Sequence, residues 1–171
     1  MALLALAGCG AERTAAPELP AQAPQARPAE WYQMRADIAS RICVRTAPDF
    51  AGFAEAVAAA GMNRSEAGLY NDDRSEIVAS LAEGDGGCSC RVSYQAPQPD
   101  SAVEALRARL AADLGTRLVP EGSDARRFIV TTGTAAAPLR ILDYPHDGLT
   151  WLALVVHGPK SCPEGLAAEG T

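Results

Sequence analysis

The chain has 171 residues, a net charge of −6 and 48% hydrophobic residues, and its single lysine is Lys160. This length accommodates one folded domain with short appendages. No run approaches the ~18 consecutive apolar residues that a membrane-spanning helix needs. The acidic balance argues against nucleic-acid binding, which requires a basic surface.

The first nine residues carry a recognisable motif. The tetrad Leu6-Ala7-Gly8-Cys9 resembles the lipobox of bacterial lipoproteins. The resemblance implies that residues 1–8 are a signal peptide, that cleavage precedes Cys9, and that its acylated thiol anchors the chain in a lipid bilayer. Gly10 stands where an aspartate retains many such proteins in the inner membrane. The resemblance therefore favours the outer membrane and a domain that faces the periplasm.

The segment before Cys9 departs from an ordinary signal peptide. It has no lysine or arginine, whereas a signal peptide begins with a positively charged region and continues with 7–15 apolar residues. Either translation starts further upstream or the export signal is weak.

Residues 9–30 are predicted as the lipidated cysteine and a tether. The segment after Cys9 has four prolines and no aromatic or β-branched aliphatic residue, so it cannot supply a packed core. About twenty residues in a polyproline II conformation, at ~3.1 Å per residue, extend on the order of 60 Å. Such a tether would carry the domain clear of a lipid surface.

Apolar spacing predicts two helices after the tether. The first covers 31–45, where four apolar residues recur at intervals of three or four: Trp31, Met34, Ile38 and Ile42. The second follows Thr46 and Asp49, which have capping-box spacing, and ends at Gly61.

A hairpin and a third helix are predicted next. Residues 76–82 and 88–95 form the hairpin, and the strict alternation of the second strand directs Cys88 and Cys90 to the core. Ser101 and Glu104 then have capping-box spacing at the start of a helix that Gly115 ends. The apolar stripe of this helix consists of Val103, Leu106, Leu110 and Leu114.

Three strands are predicted at the end of the domain. They cover 127–132, 139–144 and 149–157, with residues 145–148 as a hairpin loop. The last is apolar on both faces, which is typical of a central strand. The predicted fold class is α+β, with about three helices packed on one face of a mainly antiparallel sheet.

The predicted domain covers 31–165, followed by a tail at 166–171. A faint helix-then-strands repetition spans 46–95 and 100–157. It has no identity at the level of residues, so the sequence does not establish an internal repeat.

Four cysteines remain after Cys9, and an even number in an exported domain predicts two disulfides. A bond between Cys88 and Cys90 conflicts with strand geometry. Cys43 is therefore expected to pair with one of them and Cys162 with the other. The alternatives are a thiolate metal carrier that uses Cys88 and Cys90, and reduced thiols in a cytosolic protein.

Candidates for catalysis are sparse. His146 lies beside Asp147 and near Asp143, which could provide an acid/base pair for a hydrolase, although Pro-His-Asp-Gly is also ordinary turn chemistry. His157 ends the last predicted strand, on the order of 30 Å from His146 at ~3.3 Å per residue, so the two histidines are not expected to share a site.

Other charged residues are expected to be solvated. Asp72, Asp73 and Asp85 lie in predicted turns, and Arg107, Arg109 and Arg117 lie on or just after the third helix. No catalytic residue, metal site or cofactor is predicted. The sequence favours a lipid-anchored envelope protein with a non-catalytic binding or assembly domain, whose partner is another envelope protein or the cell wall.

Overall fold

The computed structural model describes residues 26–84, 86–132 and 135–168, without the side chains of Thr132 and Ala135. Three predictions lie outside the described residues: the lipobox with Cys9, most of the tether, and Asp85. The end of the predicted tail, 169–171, also lies outside them.

Three helices and eight strands make up the described chain. Helix α1, Ala29–Ala39, continues into a π-helical turn at Ser40–Val44, α2 is Phe53–Ala59, and α3 is Pro99–Leu114, followed by a 3₁₀ turn at Gly115–Arg117. The strands are β1 Asn63–Arg64, β2 Tyr70–Asn71, β3 Ile77–Gly84, β4 Gly87–Gln95, β5 Leu118–Pro120, β6 Arg127–Thr132, β7 Ala135–His146 and β8 Leu149–His157. No helix of this part of the chain is long and apolar enough to cross a membrane.

The eight strands form one sheet in the order β1-β2-β3-β4-β8-β7-β6-β5. All seven neighbouring pairs are antiparallel. Strand β8 pairs with β4 on one side and β7 on the other, which confirms the predicted central strand. The α+β class and the mainly antiparallel sheet are also confirmed.

The core lies between the sheet and the helices. Cys88, Cys90, Val92 and Tyr94 face it from β4, and each is at most 1% exposed. Helix α3 buries Ala102, Leu106, Leu110 and Leu114 and packs against α1. Burying each leucine stabilises the fold by about 1.5–3 kcal/mol.

The strand order repeats the same topology twice. Four antiparallel strands follow the helices α1 and α2 in the first half and the helix α3 in the second, and the halves join where Val92 pairs with Leu154. The inner hairpins match in register, because Ile77 pairs with Tyr94 as Leu139 pairs with Val156. The faint repetition in the sequence therefore has a structural counterpart in the two halves of the sheet.

Both predicted capping boxes are wrong. The Thr46 hydroxyl donates to the carbonyl of Ile42 at 2.5 Å, and α2 begins only at Phe53 after a stretch of turns. Helix α3 begins at Pro99, ahead of Ser101 and without a side-chain cap. Proline suits that position because its fixed φ fits a helix and its missing N–H would have no partner within the first turn.

The predicted loop at 145–148 is shorter than expected. Strand β7 continues to His146, which pairs with Leu149, so the turn consists of Asp147 and Gly148. Both have positive φ, 51° and 73°, as a two-residue type I′ turn requires. His146 is therefore the last residue of a strand and does not lie at a loop tip.

The chain after β8 returns to the sheet. Lys160 accepts a hydrogen bond from the amide of Cys88 at 2.7 Å, and Ala167 forms a parallel bridge with Leu81. Residues 166–168, where the predicted tail begins, thus lie along β3.

Candidate functional site

The four cysteines of the domain form two disulfides, Cys43–Cys90 and Cys88–Cys162. The prediction that each cysteine of β4 pairs with a distant partner is confirmed. One bond joins the π-helical turn after α1 to the sheet, and the other joins the C-terminal segment to it. Both sulfurs proposed for a metal carrier, on Cys88 and Cys90, are oxidised here and offer no thiolate.

His146, Asp147 and Asp143 do not assemble into a site. His146 Nε2 lies 3.5 Å from a carboxylate oxygen of Asp147, but their side chains are 61% and 87% exposed. The Asp143 carboxylate pairs with Arg126, and its separation of three residues from His146 places the two side chains on opposite faces of β7. His146 otherwise contacts the edge of Trp151, with ring centroids 6.0 Å apart. This arrangement lacks the enclosed pocket that acid/base catalysis on a substrate uses.

His157 lies at the opposite end of β8 and lines a cavity of about 420 Å³ with Ser89 and Arg140. Burial lowers the pKa of its imidazole, and the positive charge of Arg140 lowers it further. His157 therefore takes up a proton less readily than an ordinary histidine, next to an exposed arginine. The nine-residue strand between the histidines keeps them at opposite ends of the sheet, as predicted.

The groove between α1 and α3 has a volume of about 710 Å³. It is open to solvent, and its charged lining residues are Arg27, Asp37, Glu104 and Arg109. Arg109 pairs with Asp37 and Asp113, and Arg27 pairs with Glu76. Because neighbouring carboxylates neutralise its arginines, the groove has little net charge for a ligand to recognise.

Two ion-pair clusters on the helix side have structural roles. The buried Arg35 contacts Glu76 at 2.7 Å and Asp72 at 3.8 Å, and its guanidinium lies 4.7 Å from the ring centroid of Trp31. Asp72 also accepts a hydrogen bond from the amide of Glu76. These contacts fix α1 to the start of β3, so Asp72 is not the solvated turn acid that the sequence suggested.

Asp113 is the centre of the second cluster. Burial opposes ionisation of its carboxyl group, but hydrogen bonds from Arg109 and Ser40 outweigh burial and lower the pKa of Asp113 below its ordinary value. Arg117 donates to the carbonyl of Asp113 at 2.9 Å. Arg107 and Arg117 are exposed, as predicted, although Arg117 also bonds to the end of α3, whereas Arg109 is half-buried in this cluster.

The face of the sheet opposite the helices, here called the open face, is not covered by any helix of the described chain. It holds the outward-pointing residues of β3–β8, and Leu142 and Val119 on it are 44% and 48% exposed. The buried residues near its centre are Ser93, Trp151 and Ala153. Such a partly apolar face differs from the polar outer face of an ordinary one-sided sheet.

Three arginines lie in one row across the open face. Arg127 pairs with Arg140, Arg140 with Val155, and Val155 with Arg91. All three arginines are exposed, and none pairs with a carboxylate within residues 26–84, 86–132 and 135–168. The residues that line this face from the described strand positions include no aspartate or glutamate, although the chain as a whole has a net charge of −6.

Arg91 contacts two neighbouring side chains of the open face. Its guanidinium lies 4.8 Å from the ring centroid of Tyr144, and its Nε donates to the Ser93 hydroxyl at 3.0 Å. Because β8 runs between β4 and β7, this stack passes over the small Ala153. The orientation of Arg91 is thus fixed in advance by neighbouring side chains.

Arg91, Arg127 and Arg140 were not predicted as site residues from the sequence. A signal was present for Arg91, because it is an outward position of a strictly alternating strand. Their alignment depends on the pairing of β6, β7, β8 and β4, however, and no local pattern specifies that register.

No group of three or more histidine, cysteine, aspartate or glutamate side chains in the described part is placed to hold a metal ion. Comparisons with known protein families, with curated proteins and with solved structures found no match to this chain.

Proposed function

We propose that this protein is a lipid-anchored binding module of the bacterial cell envelope, and that the open face is its interaction surface. The observation that carries the binding role is this face, which no described element covers, and on which exposed Leu142 and Val119 flank a row of arginines without a carboxylate partner among the described residues. Exposed apolar side chains next to arginines are the combination of contacts that protein interfaces use.

Two features support export to the envelope. Disulfides persist in oxidising compartments and are rare in the cytosol, and this domain has two of them. The lipobox-like tetrad that ends at Cys9 supplies the corresponding anchor. A tether of about twenty residues would let the domain reach a partner on the order of 60 Å from the lipid surface.

The anchor is tested by growing bacteria that express the full chain with radioactive palmitate. We expect label in the protein and its recovery with the membranes, and we expect both to be lost in the Cys9→Ala variant. An unlabelled chain in the soluble fraction would refute the lipid anchor.

The interaction surface is tested by photocrosslinking in the same cells. A photoreactive amino acid replaces Leu142 on the open face or, as a matched control, Met34 on α1, which is 49% exposed. We expect discrete adducts from position 142 and none from position 34. No adduct at 142, or the same adducts at both positions, would contradict the assignment of the open face.

A further inference from the structure

We propose that the arginine row, Arg127, Arg140 and Arg91, binds an extended acidic peptide segment of a protein partner. The proposal deepens the proposed function by naming what the open face recognises. It depends on the row itself and on the charge of the surrounding surface.

The arginine row destabilises the fold, and no contact within the described chain offsets this effect. Arg127 and Arg140 are direct cross-strand neighbours on the same face, where Cα atoms are about 4.5–5.5 Å apart. Like charges placed opposite each other destabilise a sheet. Elsewhere in the described chain, arginines close to one another share carboxylates, as Arg27 and Arg35 share Glu76. A repulsive pair that no carboxylate in the described chain relieves is expected where a ligand supplies the negative charge.

The spacing of the row fits an extended chain. The backbones of Arg127 and Arg91 are three strands apart, which corresponds to about 14 Å at ~4.8 Å per strand. The Arg91 guanidinium is turned inward from this end, toward Tyr144 of β7. Alternate side chains of an extended peptide lie on one side about 7 Å apart, so carboxylates at positions i, i+2 and i+4 cover the whole backbone span of the row. The intermediate carboxylate lies near the middle of this span, within reach of the long Arg140 side chain. Arginine suits this role because its planar guanidinium binds carboxylates through two parallel hydrogen bonds.

The surface chemistry favours a peptide over a sugar chain or a lipid. Carbohydrate recognition would use a free aromatic ring, but Arg91 covers Tyr144 and Trp151 is only 7% exposed. Anionic membranes recruit clusters of about 4–8 basic residues, and this row has three. Arginine next to exposed apolar side chains such as Leu142 is instead typical of protein interfaces.

The test measures binding of a fluorescein-labelled seven-residue peptide of alternating glutamate and serine to the full, oxidised chain. The same peptide with glutamine in place of glutamate is the ligand control. Fluorescence anisotropy is recorded for the unchanged protein, for Arg140→Gln, for Arg127→Gln with Arg140→Gln, and for Arg107→Gln. Arg107 is the matched protein control, because it is an exposed arginine on the helix side without a carboxylate partner in the described chain.

We expect the unchanged protein to bind the acidic peptide saturably and not to bind the glutamine peptide. The affinity should be about tenfold weaker in Arg140→Gln and weaker again in the double variant. A tenfold change corresponds to about 1.4 kcal/mol. Arg107→Gln should bind as the unchanged protein does. The net charge of −6 repels an acidic peptide from the molecule as a whole, so binding would report a local surface. Thermal melts check that each variant is folded.

Three outcomes would overturn the proposal: no binding, equal loss in Arg107→Gln, or binding to phosphatidylglycerol vesicles in preference to the peptide. These results are separable from those that test the proposed function. If the chain crosslinks through position 142 but does not bind the peptide, the open face remains the interaction surface and an acidic peptide is excluded as its ligand. If the chain carries no palmitate but binds the peptide, the lipid anchor is refuted and the binding role of the arginine row is supported.

Discussion

The two disulfides should differ in their resistance to reduction of the folded protein. Cys43 and Cys90 are both 0% exposed, whereas Cys162 is only half-buried. A reductant must contact a sulfur atom to attack it, so dithiothreitol can reach Cys88–Cys162 without unfolding the domain. Reduction of Cys43–Cys90 requires the core between the π-helical turn and β4 to open. We therefore expect Cys88–Cys162 to be reduced first.

The contribution of each disulfide to the free energy of unfolding follows from the length of the loop that it closes. The bonds join residues separated by 47 and 74 positions, and chain entropy assigns about 4 kcal/mol to each, with the two values only about 0.4 kcal/mol apart. Losing one bond should lower the melting temperature by about 10 °C. Losing both removes about 8 kcal/mol, which is comparable with the whole stability of a typical domain, about 5–15 kcal/mol.

The assay is timed reduction under native conditions, alkylation of the released thiols and mass spectrometry of the peptides, with near-ultraviolet circular dichroism in parallel. A species with Cys88 and Cys162 alkylated should accumulate while the tertiary signal persists. The variant with Cys88→Ala and Cys162→Ala is the control that holds the other bond alone. Simultaneous reduction of both bonds, or earlier reduction of Cys43–Cys90, would refute the argument from burial.

Three further predictions concern the core. Leu110→Asp places a charge in the buried stripe of α3 and should unfold the domain. The control Leu142→Asp, on the open face, should shift the melting temperature by only a few degrees. Thermal melts followed by circular dichroism measure both effects. The folded pKa of Asp113 lies below its unfolded value, so its stabilisation is complete above the ordinary aspartate pKa and is lost as the pH falls through the folded pKa. Urea unfolding between pH 2 and pH 7 should therefore show a weaker acid dependence in Asp113→Asn. Tyr94→Phe removes a buried hydroxyl that has no hydrogen-bond partner in the described chain, so the melting temperature should stay the same or rise; a loss of several degrees would contradict this.

Patterns that repeat locally were readable in the sequence. The alternation over 88–95 predicted β4 and the burial of both its cysteines, and the apolar stripe over Val103–Leu114 predicted α3. Strands β6 and β8 were predicted with the bounds that the structure gives. Each of these segments is long enough to show several periods of its pattern.

Features that depend on few residues or on distant partners could not be predicted from the sequence. Strands β1, β2 and β5 have two or three residues each, which is too short to show a period. Thr46 has the right spacing for a capping box, yet its hydroxyl bonds back to Ile42, because a side chain can choose between local backbone partners. The pairing of β4 with β8 joins residues about sixty positions apart, and this pairing aligns the arginines of the open face.

The duplicated topology gives an internal comparison for the arginine row. When the halves are matched through the pairs Ile77–Tyr94 and Leu139–Val156, Val78 takes the place of Arg140 and Ala153 takes the place of Arg91. The same hairpin therefore forms with apolar residues at these positions, and the architecture itself does not require the arginines. The like charges of Arg127 and Arg140 are therefore not needed to form the hairpin, which leaves them available to the acidic segment that we propose as the partner.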